Sequence, residues 1–345
     1  MKVRRRPMME GWRKHLIGGV ITLLTLFVFF DQVNSSDVLN ALSKFQWVYL
    51  FFGLAFLGGG YALRIIRWSL MLKATGAHTT FKNCAAPFLG SIALNNILPL
   101  RLGDVIRALV FPGSMGISKT TATSSLIVER LIDLMTLLAS LAIGLFAIRV
   151  IAVPEELKAS AILLAIFGSC VLILGFLFSG SVSRFFKRLA VNGDSINSNG
   201  LTRIYRILSN LMQEFEMMSR PRLLLSIIGI SMLVWLGEAG LFYFVLLGSG
   251  VDGSPLVALL VMAVATLSTL LPSSPGYVGT FHLAAFSAIT LVGGTEAQAG
   301  SYAVIVHLTL WLPTTLAGAL AIWSNPGIFR TVKLQSKTLN PVIKV

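Results

Sequence analysis

Apolar residues run through this chain in long blocks, with the polar residues gathered between them. Blocks at about 16–30, 47–68, 119–148, 159–179, 222–248 and 299–323 are unbroken and predict helices. Several approach the ~20 residues needed to cross a hydrocarbon core of about 30 Å. Two further blocks, at about 84–111 and 255–292, are interrupted. The first contains ILPLRLGDV (Ile97–Val105) and the second LLPSSPGYV (Leu270–Val278). A proline and a glycine in mid-block predict two arms joined by an unwound tip. Such a hairpin returns to the side it entered from, whether it is re-entrant or two short spans. A barrel would show short alternating strands instead, so the predicted class is an all-α, polytopic integral membrane bundle.

Composition agrees with the pattern. The 345 residues are 55% hydrophobic and 12% charged, far too little charge for a soluble domain of this size. The net charge is +14, and its distribution carries more information than its size. With the N-terminus in the cytoplasm, cytoplasmic segments hold 22 basic residues and the outer side three, Lys44, Arg149 and Lys158. Arg101, Arg107 and Arg130 then fall within the membrane. This predicts a multi-pass protein of the cell (inner) membrane with both termini cytoplasmic. The basic surplus is read as facing anionic lipid, with no nucleic-acid partner. Arg64 and Arg67, just before Trp68, are expected as interfacial anchors, or as receivers of headgroups entering the first hairpin. Cys84 and Cys170 lie in apolar surroundings and are expected as small buried packing residues. The apolar run after the basic N-terminus closes with FVFFDQ rather than small residues, so it is expected as a retained helix and not a cleaved signal.

The expected organisation is one membrane domain, 1–345. It has a basic N-terminus (1–15), a first repeat (47–179), a basic cytoplasmic linker (180–221), a second repeat (222–323) and a cytoplasmic tail (324–345). Within the linker, VNGDSINSNG (Val191–Gly200) reads as flexible connection. Ile204, Ile207, Leu208, Leu211, Met212, Phe215 and Met218 then follow a helical period, with Arg203 and Arg206 nearby. This is either an amphipathic helix on the cytoplasmic membrane face or a helix packed on the bundle.

Leu98-Pro99-x-x-x-Gly103-x-Val105 matches Leu271-Pro272-x-x-x-Gly276-x-Val278. Three crossings separate the two hairpins, so they enter from opposite faces, and the prediction is two inverted repeats, each with a broken or re-entrant hairpin. Pro99, Gly103, Pro272, Pro275, Gly276 and Gly279 are the expected break positions. Unwound backbone at membrane depth is tolerated only inside protein or beside water. Half-helices starting near Gly103 and Gly276 would point N–H groups at such a cavity, which attracts phosphate or carboxylate. The plainer alternative is a kinked hairpin without a ligand.

Charged residues inside apolar blocks are costly and mark candidate sites. Asp104 and Arg107, three apart, can pair, leaving Arg101 to meet an anion; alternatively the tip lies at the interface and its arginines snorkel. Thr121, Ser125, Glu129 and Asp133 form a polar stripe at spacing four, and Arg130 can reach Asp133. Glu129 would balance Arg101 or Arg107, or take a lipid amine or a proton, or the whole set is a structural ion-pair network. Glu238 lines the cavity or partners an arginine. His282 and His307 are the polar equivalents in the second half, serving a headgroup or a proton, or simply packing. Two histidines without a nearby carboxylate or thiol make no metal site. No GxxxxGK[ST] sequence occurs, so neither nucleotide nor other cofactor is expected.

NNILPLRLGDVIRALVF, GISKTTATSSLIVERLIDLMTLL and LLPSSPGYVGTFHLAAF resemble the membrane region of lysylphosphatidylglycerol synthases, a flippase-like family, over roughly residues 15–325. The motif falls on Pro99, Arg101, Gly103, Asp104, Arg107, Glu129, Arg130 and Asp133, and in the second half on Pro272, Pro275, Gly276, Gly279 and His282. The resemblance implies a lipid translocator with cavities between two inverted halves. No aminoacyltransferase domain follows the last helix, so the chain is expected as a stand-alone member that does not synthesise lysyl-lipid. The leading expectation is a flippase for a phosphate-bearing lipid rather than an enzyme. Two other readings stay open: a membrane transferase acting on a lipid-linked donor, and a membrane partner of a separate lipid-modifying enzyme. Membrane lipids are the expected partners; a second copy of the chain is left open.

Overall fold

In the computed structural model, residues 9–32, 35–147, 155–194, 199–251, 253–271 and 273–328 are described. Their helices are α1 (Met9–Gln32), α2 (Ser35–Ser43), α3 (Val48–Ala74), α4 (Phe81–Ile97), α5 (Leu102–Leu109), α6 (Phe111–Met115) and α7 (Lys119–Ala147). They continue with α8 (Glu155–Asp194), α9 (Asn199–Met218), α10 (Pro221–Gly248), α11 (Pro255–Ser268), α12 (Thr280–Leu291) and α13 (Glu296–Ser324). No strand occurs among the described residues.

By length and composition Val48–Ala74, Ile166–Leu189, Pro221–Gly248 and Glu296–Ser324 can cross a membrane. The chain is an all-α, multi-pass membrane protein. The 29-residue α7 is also long enough, but carries Glu129, Arg130 and Asp133 near its middle. The hairpin arms are shorter: α4 has 17 residues, α11 14 and α12 12. At 1.5 Å per residue these reach about 26, 21 and 18 Å, short of a core of about 30 Å.

Two parts of the chain depart from the sequence reading. α2 was not anticipated. α8 runs to Asp194 instead of stopping near 179, because Phe176 and Phe186 have partners across the turn: Phe176 stacks on Phe215 (4.8 Å) and Phe186 on Tyr205 (6.4 Å) of α9. The stretch read as a linker is therefore helical on both sides, and residues 195–198 lie outside the described residues. α9 packs on α8 and α7, with Phe215 and Met218 buried, while Ile204 and Ile207 stay half-exposed. The Ser124 hydroxyl donates to Leu211 O (3.1 Å), and that of Thr121 to Glu214 (3.0 Å). Burial against α7 pushes the Glu214 carboxyl above its usual range, and the Thr121 hydroxyl opposes the shift. Cys84 is buried as expected, whereas Cys170 is exposed on α8, whose outer surface is apolar.

Contacts between the two groups of helices come in matching pairs. α4 packs on α13, and α11 on α7; α4 meets α5 as α11 meets α12; α5 meets α7 as α12 meets α13. α3 and α10 cross at the centre through Gly60 and Gly237, where a Cβ on Gly237 would come within 2.9 Å of Phe56 O.

The two hairpin tips share one backbone plan. Leu98 is extended, as a residue before proline prefers. Pro99 opens a single tight turn, and Leu100 (φ 58°) and Arg101 (φ 53°) are left-handed. Likewise Ser274 is extended, Pro275 opens a turn, and Gly276 (φ 74°) and Tyr277 (φ 59°) are left-handed. The geometry thus pairs Pro99 with Pro275 and Gly103 with Gly279, three residues away from the motif match that paired Pro99 with Pro272; Pro272 itself lies outside the described residues.

Gly103 is not a hinge. It sits within α5, where an added Cβ would fall 1.9 Å from Ser91 O and 2.7 Å from the Asn95 backbone nitrogen, so it lets α5 lie directly on α4. Backbone cannot yield as a flexible side chain does. Gly103→Ala is therefore expected to cost at least the ~1–3 kcal/mol of an overpacked core, read as a lower unfolding temperature in detergent.

Candidate functional site

Arg64 and Arg67 lie on α3, Asn95 on α4, Arg107 on α5, Glu129, Arg130 and Asp133 on α7, and Glu238 on α10. Glu129 is ten residues from the start of α7 and Arg64 ten from the end of α3, each about 15 Å into its helix. Long side chains from four directions converge there.

The polar stripe of α7 faces inward, and Thr121, Ser125, Glu129 and Asp133 are all buried. Arg107 makes a two-pronged bond to Glu129 (2.8 and 3.2 Å) and lies over the Phe88 ring at 4.7 Å. Asp104 is 3.7 Å from Arg107 and 3.3 Å from Arg130, and accepts from the Asn95 amide at 2.9 Å. Arg130 also bonds Glu129 (3.2 Å) and approaches Asp133 (3.9 Å). Asp133 accepts from Arg67 at 2.7 and 3.2 Å and from the Trp235 indole at 3.1 Å. Glu238 accepts from Arg64 Nη2 at 2.5 Å.

This overturns the anchor reading of Arg64 and Arg67. They are 9% and 0% exposed and point into the bundle, because Asp133 and Glu238 need counter-charges that α7 and α10 do not supply themselves. Arg67→Gln would leave Asp133 dependent on more distant cations. Its expected cost is about 3–5 kcal/mol, seen as a lower unfolding temperature in detergent.

Arg101 is different. It donates to the Thr269 hydroxyl (2.9 Å) on the opposite tip and sits over the Tyr277 ring (5.6 Å). Among the described residues no carboxylate lies within 4.0 Å of it. Its side chain borders two cavities. One, of about 170 Å³, is lined by both hairpins, Arg64, Glu129, Arg130 and Glu238; the other, of about 220 Å³, lies between the tips alone.

The helix starts contribute less than the sequence suggested. The α5 amide of Asp104 is already taken by the Asn95 side chain (3.0 Å), and α12 begins at Thr280 rather than near Gly276. His282 and His307 do meet, with ring centroids 4.5 Å apart. His307 Nε2 donates to Gly276 O (2.7 Å), and His282 Nδ1 accepts from the Gly279 amide (3.4 Å). His307 thus fixes the second tip and lines the cavity of about 170 Å³.

Sequence reasoning missed Asn95, Asn96, Trp235 and Trp311. Asn96 bonds Thr314 (3.1 Å) and Thr315 (2.9 Å) of α13, and the Trp311 indole donates to Asn96 O (3.3 Å). The adjacent asparagines just before the proline break, in an otherwise apolar arm, were the available signal.

Residues 15–318 match the family model described as the lysylphosphatidylglycerol synthase transmembrane region. The chain is similar to the glycosyltransferase AglD of Haloferax volcanii, 25% identical over 334 residues. The match covers 87% of this chain and 53% of that protein, so the chain spans about half the length of this relative. Two proteins of Methanothermobacter thermautotrophicus, each named a UPF0104 membrane protein, are 22% identical over 324 and 330 residues. Those matches cover 91% and 89% of this chain and 94% and 93% of the relatives.

Proposed function

The chain belongs to the family of lysylphosphatidylglycerol synthase transmembrane regions, and from that premise we propose that it carries a phosphate-bearing lipid between leaflets. The headgroup enters the cavity between the two hairpin tips while the acyl chains stay in the bilayer. The observation that carries this reading is Arg101, a cavity-lining arginine without a carboxylate partner among the described residues, facing a chamber built from both breaks. A guanidinium in that position offers a planar fork to phosphate oxygens. Asp104, Arg107, Glu129, Arg130, Asp133 and Glu238 then form the frame that holds the chamber open and polar.

The matched pairs of helix contacts and the shared backbone plan of the tips support an inverted repeat, α3 to α7 against α10 to α13. In that arrangement each tip is one gate, and exchanging the roles of the two halves opens the cavity to the other side. With Arg64 and Arg67 placed in the bundle, the charge map has twenty basic residues on the cytoplasmic segments against three outside, a bias that supports cytoplasmic termini in the cell membrane.

A second reading, a membrane transferase using a lipid-linked donor, draws on the printed name of the Haloferax volcanii relative. It would need a carboxylate free to act as base. Of the two that line the cavity, Glu129 is clasped at both oxygens by Arg107, and Glu238 alone keeps an oxygen unbonded. Reconstitution separates the readings. Vesicles carrying headgroup-labelled phosphatidylglycerol are expected to expose inner-leaflet label to an impermeant quencher only when the protein is present. Product formation from a lipid donor without leaflet exchange would favour the transferase.

A further inference from the structure

Resting on the translocator reading above, we propose that α1 is a strap on the second hairpin tip. The bond between Thr22 and Ser274 must open before that tip can move, so the two tips are unequal gates. α1 lies outside the proposed repeat of α3 to α7 against α10 to α13. From Val20 onward it turns Leu23, Leu24, Phe27 and Phe30 outward, whereas Thr22 and Phe29 are buried. Thr22, Thr25, Leu26 and Phe29 follow the i, i+3, i+4, i+7 spacing of one helix face. That face meets α12 and the tip that precedes it.

The ground is that two equivalent positions are held differently in the two halves. With Pro99 set against Pro275, Leu98 corresponds to Ser274 and Gly103 to Gly279. In the first half both are held within the hairpin. The Leu98 amide donates to Leu94 O (2.8 Å), and Gly103 presses on Ser91 O of α4. In the second half α1 does both. The Ser274 amide donates to the Thr22 hydroxyl (2.8 Å), and a Cβ on Gly279 would collide with Thr25 Oγ1 and come 3.0 Å from Thr22 O. Phe29 adds a third hold. Its ring stands edge-on to His282 (5.6 Å) and Phe286 (5.9 Å), and His282 accepts from the Gly279 amide. Two other holds on this side, Arg101 to Thr269 and His307 to Gly276 O, come from within the repeat. The first tip can therefore move as one body with α4 and α5, while the second moves only by parting from α1.

Ser273 supplies the reporter. Its hydroxyl is buried without a partner among the described residues and borders the cavity between the tips, so Ser273→Cys gives up no hydrogen bond there. The full-length protein carries this change and Cys170→Ser, and is labelled in detergent with a water-soluble maleimide. Labelling at position 273 reads opening of the tip. Labelling of Cys84, 0% exposed, reads loosening of the whole fold. Thr22→Val keeps the side-chain shape and removes the acceptor. It is expected to speed labelling at position 273 about fivefold, equivalent to ~1 kcal/mol, with Cys84 unchanged. Thr22→Ser keeps the hydroxyl and is expected to label at the parent rate. An unchanged rate in Thr22→Val, or a matching rise at Cys84, overturns the strap. Phosphatidylglycerol exchange in vesicles separates the strap from the reading it rests on, and Thr22→Val is expected to raise it. Faster labelling with exchange unchanged or lowered overturns the gate. Exchange by the wild type beside unchanged labelling overturns the strap and keeps the translocator. Faster labelling with no exchange by any variant keeps the hold on the tip and removes the translocator.

Discussion

Arg101→Ala is expected to lower leaflet exchange by about ten- to a hundredfold while the protein remains folded, because a hydrogen bond to a charged group contributes about 1.5–3 kcal/mol and each 1.4 kcal/mol is tenfold. The reason for the split lies in its surroundings. Among the described residues Arg101 bonds neutral Thr269 and touches Tyr277, so its removal strands no buried carboxylate there. Its value is to a ligand. Arg101→Lys keeps the charge and loses the planar fork, so it should fall between wild type and alanine. Exchange rate and unfolding temperature measured on the same preparations check both halves of this expectation.

Asp133→Asn is expected to do the reverse. Asp133 is 4% exposed and accepts three hydrogen bonds, two from Arg67 and one from Trp235, with Arg64 and Arg130 each 3.9 Å away. The amide keeps the shape and removes the charge, leaving Arg67 buried without its counter-ion. Breaking one side of such a pair costs about 3–5 kcal/mol, against a total stability of about 5–15 kcal/mol. The folded yield in detergent should drop steeply. A second change, Arg67→Met, removes the stranded cation and should restore part of the loss, which distinguishes a charge effect from a general packing defect. No rescue by the double variant would mean that Asp133 acts through something other than Arg67.

How much of this was legible beforehand depended on how local each feature is. The break at Leu98–Arg101 could be read because proline and its neighbour constrain backbone within two or three residues. The pairing of Asp104 with Arg107 could be read because they are one helical turn apart. Arg64 with Glu238 and Arg67 with Asp133 could not, since they lie 174 and 66 residues apart and meet only when α3, α7 and α10 pack. Proximity to a tryptophan and a cytoplasmic loop made both arginines look interfacial, when the unpaired acids on two other helices were the stronger clue. Gly103 misled for a related reason. A glycine four residues after a proline suggested part of the break, yet here its missing side chain admits the backbone of a neighbouring helix. The match of the letters LPxxxGxV lies three residues from the match of the two tip backbones, where the left-handed pairs at Leu100–Arg101 and Gly276–Tyr277 are similar conformations written in different residues.

The central claim is that a lipid headgroup occupies the chamber between the two tips, against Arg101. The most direct measurement places a photoreactive group on the headgroup of phosphatidylglycerol, irradiates reconstituted protein and maps the adducts by mass spectrometry. Adducts on both tips, at Asn96, Arg101, Thr269 or Tyr277, and their loss in Arg101→Ala, are the expected result. Adducts confined to the outer apolar surface, such as Leu163 and Phe167 of α8, with none on either tip, would contradict it.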